Sequence, residues 1–258
     1  MNSIQARGAE LRRLHEATEL LQVVNVWDAV SARVISDLPE TRALATASHS
    51  IAATFGYEDG EHIPLELMLD MVGRIVAATE LPVSADLEAG YGDAGETIRR
   101  AIGVGAVGAN LEDQLRPFDD AVAAVRAAVG AADAEGVPFA LNARTDVFLR
   151  SPDRDDDAKI EEAVRRGRAF LDAGATTVFV PGKLDERTVE RLVGGLGERR
   201  LSVIAVPGSL PPARLQQLGV SRVSYGPWTQ RVALTALRNS ALELYAGGVL
   251  PEGTEVLN

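Results

Sequence analysis

Gly103-Val104-Gly105-Ala106-Val107-Gly108-Ala109-Asn110-Leu111-Glu112 is the stretch on which the fold turns. Its first six residues match G-x-G-x-x-G, the glycine pattern of a dinucleotide-binding turn. That turn must follow a strand and open a helix. Here the order is reversed: a helix closes at the glycines, and the apolar run Val107–Leu111 begins after them. Glycine suits a helix end that needs the left-handed conformation before a strand. The same helix–glycine–strand junction recurs at Gly174-Ala175-Thr176 and Gly219-Val220-Ser221. It therefore reads as a weak structural repeat and not as a phosphate-binding loop.

Working outward, short apolar runs alternate with longer helical patterns along the whole chain. Eight runs are predicted strands: Leu21–Val26, Ala43–Ala47, Pro82–Asp86, Val107–Leu111, Phe139–Ala143, Thr177–Val180, Leu201–Val206 and Arg222–Ser224. Several are apolar throughout, as parallel strands buried on both faces are. Helical spacing is predicted over Pro64–Thr79, Ala121–Ala134, Ile160–Ala173, Asp185–Leu196 and Thr229–Ala246. An extra helix over Gln5–Leu20 precedes the first strand, with Leu11, Leu14 and Ala17 placed to cover the floor of a barrel. Eight βα units predict a single α/β domain over residues 1–258, a closed (β/α)₈ barrel of the TIM type. An open doubly wound sheet shares the local pattern and is the alternative.

Composition narrows the partners. The chain has 258 residues, 46% of them hydrophobic, and a formal net charge of −11. That charge argues against nucleic acid, whose phosphates demand a basic surface, and against anionic membranes. With no cysteine, disulfides, thiolate metal sites and cysteine catalysis are excluded. Met1-Asn2-Ser3-Ile4-Gln5-Ala6-Arg7 does not have the form of a secretory leader. No run of about 18 apolar residues is present to span a bilayer. A soluble, cytoplasmic protein is expected.

In a barrel the chemistry sits at the carboxyl ends of the strands. There the chain carries Ser48-His49-Ser50, Gly56-Tyr57-Glu58-Asp59-Gly60, Asp86-Leu87-Glu88, Glu112-Asp113-Gln114 and Arg144-Thr145-Asp146. Asp86 and Glu88, two apart on an extended segment, point the same way, and Glu112 ends the next strand. Two carboxylates about 4 Å apart repel by about 4 kcal/mol at an effective dielectric near 20. Such a cluster calls for a cation or a shared proton. All-oxygen donors favour Mg²⁺, with Mn²⁺ as a substitute, over Zn²⁺. Helix capping is the structural alternative for these acids. Arg144 can clamp a carboxylate or phosphoryl group with two prongs, or pair with Asp146. The run Asp153-Arg154-Asp155-Asp156-Asp157 reads as a solvated helix start, and Trp27 and Tyr91 read as pocket-lining or packed aromatics.

Ser84-Ala85-Asp86-Leu87-Glu88-Ala89-Gly90-Tyr91-Gly92, Asn110-Leu111-Glu112-Asp113-Gln114 and Ala143-Arg144-Thr145-Asp146 resemble, in order and spacing, the isocitrate lyase/phosphoenolpyruvate mutase superfamily. Gly56-Tyr57-Glu58-Asp59-Gly60 agrees, and weaker likeness extends from Asn25 through Tyr225. The resemblance implies Mg²⁺ held near Asp86, with Asp59, Glu88 and Glu112 acting directly or through water. It implies catalytic roles for Asp59 and Arg144, with Arg144 gripping the substrate. Ser48, His49 and Ser50 match the loop that holds an α-oxo carboxylate. Members cleave or form C–C or P–C bonds beside such a carboxylate, and commonly form tetramers that exchange a C-terminal helix.

One departure shapes the expectation. The family's lyases carry a mobile Lys-x-Cys-Gly-His loop after the fourth strand, whose cysteine is the catalytic acid. Here that segment reads Asp113-Gln114-Leu115-Arg116-Pro117-Phe118-Asp119-Asp120, without lysine, cysteine or histidine. The resemblance then implies an oxaloacetate-type decarboxylase or hydrolase first and a phosphonomutase second. A barrel that binds a carboxylate metabolite without catalysis is the reading from another class. A homo-oligomer, dimer or tetramer, is expected.

Overall fold

The computed structural model describes residues 3–257. Met1, Asn2 and Asn258 lie outside it, and with them the first two residues of the stretch read for a leader. The described residues form nine parallel strands: β1 Leu21–Val23, β2 Asn25–Val26, β3 Leu44–Thr46, β4 Val83–Asp86, β5 Gly108–Glu112, β6 Ala140–Arg144, β7 Thr177–Val180, β8 Leu201–Ile204 and β9 Arg222–Ser224. The sheet runs β1-β9-β8-β7-β6-β5-β4-β3-β2. Its two edges are the halves of one extended segment, split at Val24. β1 pairs with β9 and β2 with β3, so the sheet returns on itself as a TIM-type α/β barrel. The run read as the first strand, Leu21–Val26, is the seam.

Helices surround the ring: α1 Ile4–Glu16, α2 Ala29–Ser36, α3 Ser48–Thr54, α4 Leu65–Ala77, α5 Ala94–Gly103, α6 Phe118–Ala134, α7 Val147–Arg150, α8 Asp156–Asp172, α9 Glu186–Leu196, α10 Pro212–Gln217 and α11 Trp228–Tyr245. The spacing of α4 predicts a stripe of Leu67, Met68, Met71, Val72 and Ile75; Met68, Val72 and Ile75 are buried with Leu69 and Val76, while Leu67 and Met71 are only partly buried at its edge. Asp93, Asp155 and Asp185 cap α5, α8 and α9 by accepting a backbone N–H three residues on. Asp155 and its neighbours are thus a helix start, as read. Several short helices escaped the reading because a few turns give too little period to detect.

The glycine repeat is confirmed in detail. Gly105, Gly174 and Gly219 have φ of +94°, +102° and +85°, the left-handed region that ends each helix before its strand. Gly108 is needed for a different reason. A Cβ there would lie 2.7 Å from Leu11 Cδ2 and 2.8 Å from the carbonyl of Ala140. The last glycine of the G-x-G-x-x-G match therefore admits α1 against the barrel floor. Helix α1 plugs that floor with Leu11 and Leu14, both buried. It stops at Glu16, before the predicted Leu20, because Ala17 is already extended.

The barrel interior is partly polar. Asn142 donates to Asn110 Oδ1 at 2.8 Å and to Ser202 Oγ at 3.2 Å, and accepts from Thr177 Oγ1 at 2.8 Å. Arg222, fully buried, donates across the barrel to Ser84 Oγ at 3.2 Å. At the other extreme α11 leaves Val232, Leu234, Leu237 and Leu242 exposed. Among the described residues no helix is long and apolar enough to cross a membrane.

Candidate active site

The ends of β3, β4, β5 and β6 converge on one polar mouth. Asp86 closes β4 and receives two hydrogen bonds at Oδ2: from the Ser48 backbone N–H at 3.1 Å and the Ser48 hydroxyl at 2.9 Å. Its own N–H donates to Thr46 Oγ1 at 2.9 Å. The Ser48 hydroxyl also lies 3.4 Å from Asp59 Oδ1. Ser48, His49 and Ser50 were expected in a loop; they form the first turn of α3. That turn is what aims the Ser48 N–H outward at a carboxylate, since the first amides of a helix have no internal acceptor. His49 Nδ1 and Ser50 Oγ are buried without a hydrogen-bond partner.

Glu88 departs from the expected extended segment. The strand ends at Asp86, and Glu88 has a left-handed φ of +51°. Its carbonyl still accepts from the Glu112 N–H at 2.7 Å, so the turn stays tied to β5. Its carboxylate, 2% exposed as a residue, accepts from the Glu61 N–H and lies 3.4 Å from the Tyr91 hydroxyl. Glu61 in turn accepts from the Tyr91 N–H at 2.6 Å.

Glu112 and Arg144 end β5 and β6 as register partners. Arg144 Nη1 lies 2.7 Å from Glu112 Oε2, and Nε donates to Asp146 Oδ1 at 2.7 Å. Both readings of Arg144 therefore have a basis: it is paired with Asp146, yet Nη2 makes no hydrogen bond to the described residues. The guanidinium lies 6.0 Å from the ring centroid of Phe179 on β7. Gln114 donates to Glu112 Oε1 at 3.2 Å. Behind them Asp113 accepts from Leu115 N, Asp146 N, Thr145 Oγ1 and Arg166 Nη1, locking the two strand ends together. Glu61 and Arg166 lie outside every sequence motif, whereas Asp113 and Phe179 lie within recognised segments without a role assigned to them. Asp113 beside a motif acid and Phe179 on an apolar strand gave no separate signal. Trp27 lines a groove between α2 and α11 with Val30, Val34 and Val232.

The electrostatics follow from burial and crowding. Burial raises the Asp59 carboxyl, and Asp86 pushes the same way, against the pull of His49, Arg144 and Ser48. Burial, then Asp59 and Asp86, pushes Glu88 up to about 8. Burial takes Glu112 up to about 7, despite the attraction of Arg144. Arg144 is held above the usual arginine range: burial works against its charge, but Glu112, Asp146 and Asp86 outweigh it. Crowded acids with raised pKa values are the surroundings a hard cation relieves, and every donor is oxygen. Among the described residues no three His, Asp or Glu side chains are disposed to clasp an ion directly. The residues thus fit a largely hydrated Mg²⁺, which keeps several waters and takes one or two carboxylates. They do not fit a three-carboxylate cage.

An acid cluster, a pinned arginine and a barrel rim define the strand-end site of an α/β-barrel enzyme. The chain belongs to the phosphoenolpyruvate phosphomutase family, whose model matches residues 11–245, within the phosphoenolpyruvate mutase/isocitrate lyase superfamily of lyases and phosphonomutases. It is 28% identical over 256 residues to oxaloacetate decarboxylase of Paraburkholderia xenovorans (strain LB400), covering 93% of this chain and 82% of that one. A crystal structure from Burkholderia cenocepacia J2315, provisionally named a phosphonomutase, aligns with TM-score 0.86 and 39% identity over 95% of this chain and 100% of that one. The structure of oxaloacetate acetylhydrolase with its product oxalate aligns with TM-score 0.87 and 25% identity over 99% and 92%.

Proposed function

We propose that this chain, acting as one domain, is a Mg²⁺-dependent enzyme that makes or breaks a C–C or P–C bond beside the carbonyl of a small α-oxo or 2-hydroxy carboxylate. Decarboxylation or hydrolysis of the oxaloacetate type is the leading reaction. The observation that carries this reading is the Glu112–Arg144–Asp146 clamp beside the Ser48-bound Asp86. Enzymes of the superfamily act on small carboxylates and are generally divalent-metal dependent. The names of two of the relatives, an oxaloacetate decarboxylase and an oxaloacetate acetylhydrolase, favour the leading reaction. The 39% identity to the Burkholderia protein makes phosphonomutase chemistry the second reading.

Asp86 would hold Mg²⁺, with at most one of Asp59, Glu88 and Glu112 reached directly and the others through its waters. When bound, the ion supplies positive charge beside the carbonyl, where negative charge develops. Arg144 offers Nη2 to the substrate carboxylate while Glu112 and Asp146 fix its plane. The α3 turn, with Ser48, His49 and Ser50, holds the other end. Asp59, raised by burial and Asp86, can hold or pass a proton beside the Ser48 hydroxyl. The exposed apolar residues of α11 support a homo-oligomer in which a second copy covers them.

The reading is tested by turnover assays on oxaloacetate, other α-oxo acids and phosphonopyruvate, with Mg²⁺ and with a chelator. Turnover confined to the Mg²⁺ arm supports it. No turnover of any member contradicts it.

A further inference from the structure

Two loops beside the mouth are clasped in a way the reaction itself does not require. One lies between α3 and α4 and carries Glu61; the other follows β4 and carries Glu88 and Tyr91. The Glu61 N–H donates to the Glu88 carboxylate, and the Tyr91 N–H donates to the Glu61 carboxylate at 2.6 Å. The bonds are reciprocal, each loop giving one amide and one carboxylate. Glu61, Glu88 and Tyr91 all have left-handed φ, +64°, +51° and +50°, which non-glycine residues adopt at a cost. The loop after β4 is tied to β5 by its own backbone bonds, so the clasp fastens the loop between α3 and α4 onto that fixed turn.

The clasp lies where shelter is missing. The loop after β5, Asp113–Pro117, is too short to fold over the mouth. Glu61 and Gln114 also line a cleft of 480 Å³ at the start of α5 and α6, with Gly92, Asp93 and Arg116. Glu61 therefore has the buried Glu88 on one side and an open cleft on the other.

We propose that the loop between α3 and α4, residues 56–62, anchored at its ends by Phe55, which packs against the core, and by the buried Ile63, is the gate of this site and that Glu61 is its latch. Closed, the latch orients Glu88 and screens the mouth from water. Open, it lets a small carboxylate pass by way of the cleft. This rests on the functional reading above for what passes, but not for the latch itself.

Two measurements test it. Hydrogen exchange on the ligand-free parent, Glu61→Ala and Glu61→Gln reads the latch without any ligand. Alanine loses the acceptor for the Tyr91 N–H, whereas glutamine keeps an amide oxygen there. Exchange across residues 56–62 is expected to quicken about tenfold or more in Glu61→Ala, the factor one charge-assisted hydrogen bond supplies, and to stay nearer the parent in Glu61→Gln. Stopped-flow release of oxalate in the presence of Mg²⁺ is expected to quicken by a similar factor in Glu61→Ala alone. Unchanged exchange in Glu61→Ala overturns the latch. Quickened exchange with unchanged oxalate release overturns the gate. A parent that binds no oxalate contradicts the functional reading, and the exchange result then decides the latch separately.

Discussion

Glu112 and Arg144 face each other across β5 and β6 as register partners, with their side chains 2.7 Å apart. The pair is nearly buried, and Asp146 holds the same guanidinium from the other side at 2.7 Å. A guanidinium fixed in two directions presents its remaining edge in one plane, which is what a planar carboxylate needs.

Arg144→Lys keeps the charge and loses that plane. Oxalate affinity in the presence of Mg²⁺ should fall by roughly 10- to 100-fold, the range for a charged hydrogen bond. Calorimetric titration of oxalate checks it. Equal affinity in parent and variant would make Arg144 a purely structural partner of Glu112 and Asp146.

Mg²⁺ binding should depend on pH with a definite sign. Glu112 and Glu88 are pushed up to about 7 and about 8, so the cation must displace their protons. Affinity should rise between pH 6 and 8.5, and binding should release protons. The same shifts favour the protonated folded state, so they erode stability without metal as pH climbs from about 4.5 through 8. Calorimetry in buffers of different ionisation enthalpy reads the released protons. Affinity flat with pH would contradict this assignment.

His15 tests the barrel floor. Burial first, then the charge of Arg222, lowers it to about 3 from 6.5, and its Nδ1 lies 2.8 Å from the Leu11 carbonyl. A histidine depressed in the folded state contributes stability that is complete above pH 6.5 and lost as pH falls toward 3. The parent should lose about 3 kcal/mol on this account by pH 4. His15→Gln should lack that component, so the difference between the two denaturation profiles isolates it. Parallel profiles would mean that His15 accepts a proton in place.

The short loop after β5 should limit lyase chemistry. Leu115, Pro117 and Phe118 supply no proton, and a well-placed general acid contributes about 10²–10⁴-fold. Isocitrate and 2-methylisocitrate should be cleaved at least about 10²-fold more slowly than by relatives bearing the Lys-x-Cys-Gly-His loop. Comparable kcat/KM would show that another group, such as Tyr91, protonates the product.

Much of this was legible in the sequence, for physical reasons. Buried parallel strands write continuous apolar runs, so all eight barrel strands could be found, and Leu21–Val26 was read as one strand although it pairs on two sides. The left-handed glycines marked where helices stop. Asp86, Glu112 and Arg144 could be located because strand ends carry the polar residues that interrupt apolar runs. Glu61 could not, since a loop residue with a left-handed backbone leaves no period. Asp113 looked like one more motif acid, and only the structure shows its four donors. The expected run of Asp86 and Glu88 along one strand failed because Glu88 turns out of the strand to meet Glu61.

The central claim is that Asp86 and Arg144 hold a divalent cation and a planar carboxylate together. Calorimetric titration of oxalate into the parent and into Asp86→Ala, each with Mg²⁺ and with a chelator, tests it most directly. Losing a ligand from a mostly water-coordinated ion leaves little to hold it. Oxalate should bind the parent only when Mg²⁺ is present, and should not bind folded Asp86→Ala under either condition. Oxalate binding that is the same with and without Mg²⁺, or that survives in Asp86→Ala, would contradict the account.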